Sequence, residues 1–178
     1  MPGGRIDDTR LFTPLRIALL TISDSRDLAG DTSGDLLAQR LGAAGHSLAA
    51  RVLLKHDKSA IDLKARDWID DPGIDVIISN GGTGMGERDV SPEVWRAHFE
   101  QEFEGFATLW HLISYETVGV STLQSRACAG IAKGTVIYAL PGSTGACADG
   151  WDKIIGLQLD SRHRPCSAVE LIRRFQKR

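Results

Sequence analysis

Residues 15–22 (LRIALLTI) are almost continuously apolar, the pattern of a strand covered on both faces. A polar loop, Ser23 to Asp27, follows and closes at Gly30. Thr32, Ser33, Gly34 and Asp35 then read as a capping box, with Leu36, Leu37 and Leu41 forming the stripe of a helix that ends between Gly42 and Gly45. The plan repeats. Residues 47–54 read as a strand, residues 55–58 are polar, and Ile61, Ala65, Trp68 and Ile69 share one helical face before the break at Asp71, Pro72 and Gly73. Residues 74–79 (IDVIIS) and 135–140 (TVIYAL) are two further buried strands. A helix is expected from Ser91, with Pro92 at its first position and Glu93 in its first turn. Residues 99–118 read as helical, and a last strong helix carries Cys147, Trp151, Ile154 and Ile155 on one face. Strands alternating with helices through short connections predict a three-layer α/β/α sandwich around a mostly parallel sheet. Residues 1–14 are expected to be a mobile arm and residues 15–178 one α/β domain.

The bulk numbers agree with one domain: 178 residues, 42% of them hydrophobic, hold a sizeable core. Twenty-one basic against 23 acidic side chains leave a formal charge of −2, which offers no general attraction to nucleic acid or to an anionic membrane. No apolar run approaches the ~20 residues a bilayer needs, and the N-terminus has no signal core, so a cytoplasmic protein is expected. Cys128, Cys147 and Cys166 form no C-x-x-C pair and read as reduced structural thiols.

Ligands of an open parallel sheet bind outside the carboxyl ends of its strands, so the loops leaving them matter most. After IDVIIS, residues 81–86 hold four glycines, which let peptide N–H groups approach an anion with no Cβ in the way. Thr83 adds a hydroxyl, and the helix start near Ser91 adds free N–H groups. Phosphate is the expected guest. No Lys-Ser/Thr pair follows the last glycine, so the loop is not a P-loop, and a plain flexible turn is its other reading. Asp89 reads either as a turn residue or as a Mg²⁺ ligand beside phosphate. A second loop, residues 141–145, again brings glycines and hydroxyls to a strand end.

Three ordered motifs, SNGGTGMGERDVSPE, STLQSRACAGI and LPGSTGACADGWDKIIGLQLDSRHRPC, together resemble the MoaB/Mog family of molybdenum-cofactor biosynthesis proteins, and most of all its MoaB branch. The likeness also takes in the first strand and DTSGD, and covers roughly residues 14–166. It implies a molybdopterin-binding-like fold, binding of molybdopterin, and adenylylation of its terminal phosphate with Mg-ATP, releasing pyrophosphate. It further implies a homo-hexamer or trimer, and contact with the molybdate-insertion enzyme. By motif, Gly81, Gly82, Thr83 and Gly84 match the phosphate loop, Asp89 the acidic residue of adenylyl transfer, and Ser125 and Arg126 a substrate-binding pair. Pro141, Gly142 and Ser143 match the loop closing the pterin pocket, and Ser23 and Asp24 the wall after the first strand. Where catalytic members carry a second acid after strand two, this chain has His56, with Asp57 next; Asp57 is the candidate second catalytic and Mg²⁺-binding carboxylate beside Asp89. The alternative is a non-catalytic molybdopterin carrier of the same fold.

Transfer requires an anionic phosphate to attack the α-phosphorus of ATP, and Mg²⁺ with oriented N–H groups offsets the repulsion. Trp68, Trp95, Trp110 and Trp151 read as packing residues, and His46, His98, His111 and His163 have no zinc spacing. Arg173, Arg174, Lys177 and Arg178 read as a basic helix end.

Overall fold

In the computed structural model, which describes residues 4–176, the chain runs β1 (Arg5–Ile6), β2 (Arg16–Ile22), α1 (Thr32–Ala43), β3 (Ser47–Leu54), α2 (Lys58–Ile69), β4 (Val76–Asn80) and α3 (Ser91–His98). It continues with β5 (Gln101–Glu102), α4 (Glu104–Val118), a 3₁₀ turn (Gly119–Gln124), β6 (Cys128–Ala132) and β7 (Thr135–Leu140). Then come α5 (Thr144–Gly150), a π-helical turn (Trp151–Ile155), α6 (Gly156–Leu159), β8 (His163–Arg164) and α7 (Ala168–Gln176). Lys177 and Arg178, half of the expected basic helix end, lie outside the described residues, as do residues 1–3 of the expected arm.

The main sheet has the order β3-β2-β4-β7-β6-β5. Its first four strands are parallel, and β6 and β5 complete it antiparallel. Alternation along β2 explains the layers: Ile17 and Leu19 enter one core with α1, α4, α5 and α7, while Ala18, Leu20 and Ile22 enter another with α2 and α3. The expected three-layer α/β fold is present.

Several local expectations shift. Helix α1 is capped by Asp31, whose carboxylate accepts from the Gly34 amide, not by Thr32. Asp31 is fully buried and also accepts from the Thr21 hydroxyl and from Arg51, tying β2 and β3 to α1. Residues 99–118 are not one helix, because Gln101 and Glu102 pair with β6 first. The segment before residue 15 is not free either. Its strand β1 pairs with β8, Arg10 meets Glu170 at 2.9 Å, and the Phe12 ring rests 5.3 Å from that of His46. Arg173 donates to the Thr13 hydroxyl in the same region. Cys128 and Cys147 are buried, and burial pushes each thiol up to about 12, whereas Cys166 is exposed. All four tryptophans are buried.

His46 holds the entry to β2. Its Nδ1 accepts from the Leu15 amide at 3.2 Å, which requires that nitrogen to be unprotonated, and burial lowers the pKa of the ring. A depressed folded pKa gives stability that is complete above the ordinary histidine value and is lost as pH falls through the folded value. The melting temperature should therefore fall as the pH drops below about 6.5, and His46→Asn should flatten that fall. An equally steep fall in the variant would exclude His46 as its source.

Candidate functional site

The carboxyl ends of β2, β4 and β7 open into one cavity of about 580 Å³, closed opposite by Trp110, Ser114 and Val118 of α4 and by the 3₁₀ turn. The exit of β4 sets its character. Gly81 and Gly82 stand at φ +96° and +67°, where an L-residue is strained. A Cβ on Gly81 would strike the Ile22 carbonyl, and one on Gly82 the Ser91 hydroxyl.

The hydrogen bonds of this loop are one-sided. The Gly81 amide donates to the Leu140 carbonyl at 2.9 Å. The Ser91 hydroxyl donates to the Gly81 carbonyl at 2.7 Å, and the Ser91 amide to the Gly82 carbonyl at 3.0 Å. The Arg126 amide reaches the Thr83 carbonyl at 2.9 Å, and its Nε the Gly84 carbonyl at 2.8 Å. Every carbonyl from 81 to 84 is thus held by the protein. The amides of Gly82, Thr83 and Gly84 and the Thr83 hydroxyl donate to nothing among the described residues. Such a run of free N–H groups is an anion cradle.

Charged groups flank the cradle. The Asp24 carboxylate accepts from the His56 amide at 3.1 Å and pairs with Arg88 at 2.8 Å; the amide first, then the guanidinium, hold its pKa below the usual carboxylate range. Asp89 accepts from the Gly86 amide at 3.0 Å through Oδ2, closing the turn of its own loop. Arg26 is the cavity's one arginine or lysine among the described residues, and its Nη1 donates to Ser33 Oγ and the Gly142 carbonyl.

Residues 18–160 match the family described as "Probable molybdopterin binding domain". The chain belongs to this family. It is 44% identical over 156 residues to molybdenum cofactor biosynthesis protein B of Escherichia coli (strain K12), spanning 88% of this chain and 92% of that protein. A crystal structure of a molybdenum cofactor biosynthesis protein B superposes with a TM-score of 0.85 at 31% identity, covering 95% of this chain and all (100%) of that one. The tungsten cofactor synthesizing protein MoaB of Pyrococcus furiosus gives 0.72 at 29% identity, covering 80% and 91%. The expected MoaB/Mog membership and the expected fold are both met.

Within this family fold, Ser23, Asp24, Gly81, Gly82, Thr83, Gly84, Asp89, Ser125, Pro141, Gly142 and Ser143 all line the cavity. Asp57 and Arg126 do not. Asp57 caps α2, accepting from the Ala60 amide at 3.0 Å, while His56 faces the cavity. Arg126 lies behind the glycine loop, bonded to Gly84, to the Asp89 carbonyl and to Glu93. Ser125 Oγ accepts from the Trp110 indole at 2.9 Å, Ser23 Oγ from the Arg26 amide and Ser143 Oγ from the Ala146 amide. Arg26, Asn80 and Trp110 are wall residues that motif matching missed. Arg26 had a signal, since it follows Ser23 and Asp24 in one polar loop; Trp110 had none beyond its helical face.

Gly81→Ala should lower stability by about 2–3 kcal/mol, a fall of roughly 5–10 °C in melting temperature for a chain of this size, because the β2 backbone cannot yield to the new Cβ. Gly105→Ala, with open space around it in α4, should change stability by less than about 1 kcal/mol. Equal melting temperatures for the two variants would show that the left-handed turn is not constrained.

Proposed function

We propose that this cavity binds molybdopterin and transfers an adenylyl group from Mg-ATP to its terminal phosphate. The observation that carries the reading is the run of unused amides at Gly82, Thr83 and Gly84 facing a cavity that also holds two carboxylates, Asp24 and Asp89. An oxygen of the ionised terminal phosphate attacks the α-phosphorus of ATP. A new P–O bond forms, the α–β bridging P–O bond breaks, and pyrophosphate leaves with the electron pair. No side-chain nucleophile takes part, so the protein's work is positioning and electrostatic. The amides and the Thr83 hydroxyl stabilise phosphate oxygens, and α4 and the 3₁₀ turn wall the cavity on the side away from the strand ends.

The donor set fits Mg²⁺, which takes carboxylate, hydroxyl and phosphate oxygens: Asp24 and Asp89 would hold it, not the imidazole of His56. Bound there, it would neutralise charge on the triphosphate. Asp57 is left out of this set because its carboxylate is engaged as the α2 cap. That engagement favours a second reading, a molybdopterin carrier without chemistry, over an enzyme built on the Asp89–Asp57 pair.

The proposal places the protein in the cytoplasm as a homo-oligomer handing its product to the molybdate-insertion enzyme. The homo-oligomer is supported by an apolar outer face on α4 and the 3₁₀ turn that follows it, and no helix among the described residues is long and apolar enough to cross a membrane. Leu112, Tyr115 and Val118 of α4 and Val120 and Leu123 of the 3₁₀ turn after it are all exposed, five large apolar side chains within twelve residues. Leu112→Glu combined with Leu123→Glu should yield a monomer by light scattering, and an unchanged mass would remove this face from the assembly.

The activity is tested by incubating the protein with molybdopterin and Mg-ATP and following pyrophosphate together with adenylated pterin. Asp89→Ala should slow turnover at least tenfold with little change in pterin affinity. Tight pterin binding with no product would establish the carrier, and binding of neither ligand would end the reading.

A further inference from the structure

Of the three arginines near the cradle, Arg88 is paired with the Asp24 carboxylate, and the other two differ in their surroundings. The Nε of Arg126 donates to the Gly84 carbonyl at 2.8 Å, and its two terminal nitrogens meet the Asp89 carbonyl and the Glu93 carboxylate. All three nitrogens of that fork have acceptors in the corner between the glycine loop and α3, and the residue is absent from the cavity wall. Arg26 is on the wall. Its Nη1 reaches Ser33 Oγ at 3.1 Å and the Gly142 carbonyl at 3.2 Å, both neutral, and its Nε and Nη2 donate to nothing among the described residues.

Neutral contacts hold a guanidinium in place without cancelling its charge, which is what an anion site needs. The position also fits. Gly142, on which Arg26 rests, packs so closely on the glycine loop that a Cβ there would lie 3.1 Å from the Gly81 Cα. The free guanidinium and the free amides thus share one rim. The wall's carboxylates already have donors, Arg88 for Asp24 and the Gly86 amide for Asp89, so neither depends on Arg26.

We propose that Arg26, with the amides of residues 82–84, binds the phosphate monoester of the ligand, and that Arg126 is a positioning residue that holds the loop and Asp89 without touching the ligand. This division rests on the pterin-phosphate reading above, and it moves the ligand contact from the arginine of the Ser125–Arg126 motif to the loop after β2.

The test compares neopterin with neopterin monophosphate by pterin fluorescence, so that the value of the phosphate alone is read. The wild-type protein should bind the phosphorylated pterin roughly 10–100-fold more tightly. Arg26→Gln should shrink that advantage to a few-fold and leave neopterin binding within about twofold; Arg26→Lys should fall between. Arg126→Lys, and Glu93→Gln as a milder variant, should keep the advantage while lowering kcat for adenylyl transfer at nearly constant KM. An advantage that survives Arg26→Gln, or that vanishes in both Arg126→Lys and Glu93→Gln with melting temperatures unchanged, overturns the proposal. If the wild type binds neither pterin, the pterin reading fails by itself. Calorimetric titration with inorganic pyrophosphate then decides Arg26: weaker binding in Arg26→Gln supports its role, and equal binding refutes it.

Discussion

At the end of β4 the backbone has to turn with its carbonyls facing inward and its amides facing out, and two left-handed glycines make that turn possible. A buried strand end normally consumes both kinds of group, since unpaired backbone polar atoms are costly away from water. Here the carbonyls of residues 81–84 are taken in order by Ser91, which opens α3, and by Arg126, which precedes β6. The amides of Gly82, Thr83 and Gly84 are left facing the cavity by the same geometry that satisfies their carbonyls. The dipoles are therefore oriented by the fold itself, and an anion bound there would need little reorganisation of them. The nearby elements serve this turn: β7 fixes the Gly81 amide, β2 lies under Gly81, and α3 begins where its serine can reach back.

The charges follow from the same arrangement. Loops after β2 and β4 meet over the sheet, and each carries one carboxylate and one arginine into the region. Arg88, from the β4 loop, pairs with Asp24 from the β2 loop, so the two loops are clasped across the cavity mouth. Behind them, buried Asp31 joins Thr21, the start of α1 and Arg51 of β3. Asn80 in turn donates to the Thr21 hydroxyl at 2.9 Å, so the last residue of β4 joins the same chain of bonds. A carboxylate with all these donors is far more costly to remove than to keep, which makes Asp31 part of the frame and not of the chemistry. Arg26 escapes this clasping because its neighbours, Ser33 and Gly142, are neutral.

The sheet was legible because its evidence is local. Residues 47–54 form β3 as read, bounded by Gly45 and by the polar residues 55–58, and β7 matches residues 135–140, a continuous run with β-branched residues that leaves few alternatives. Helix α3 begins at Ser91 as expected, while the cap of α1 moves one residue to Asp31, because the capping atom depends on side-chain geometry that residue type alone does not determine. The short antiparallel pair β5 and β6 escaped notice: CAGIA is built of small residues with little strand signal, and its partner has two residues. The order of the N-terminal segment has a related origin. Phe12 is held by His46 and Arg10 by Glu170, contacts across 34 and 160 positions that no local pattern announces. At the site, motif matching found the loops and their glycines, while the directions of Arg126, Asp57 and Arg26 are tertiary facts.

Asp57 shows how such a fact bears on chemistry. It immediately follows the position where a second acid is expected, but the chain has already begun α2 there, and its carboxylate accepts from Ala60 as an N-cap. Turning it into the cavity would forfeit a cap worth about 1 kcal/mol and would also require β-region backbone at a helix start to rotate. The one-residue offset thus places this acid on the helix, not on the ligand. Asp24 has the opposite circumstances: it already lies on the wall, its amide and guanidinium partners keep it ionised, and the partner that would have to yield to a cation, Arg88, is itself an exposed loop residue. Exchanging an exposed ion pair for a metal contact costs little, because such pairs contribute at most about 1 kcal/mol. If a second carboxylate joins Asp89 in this protein, the energetics therefore select Asp24.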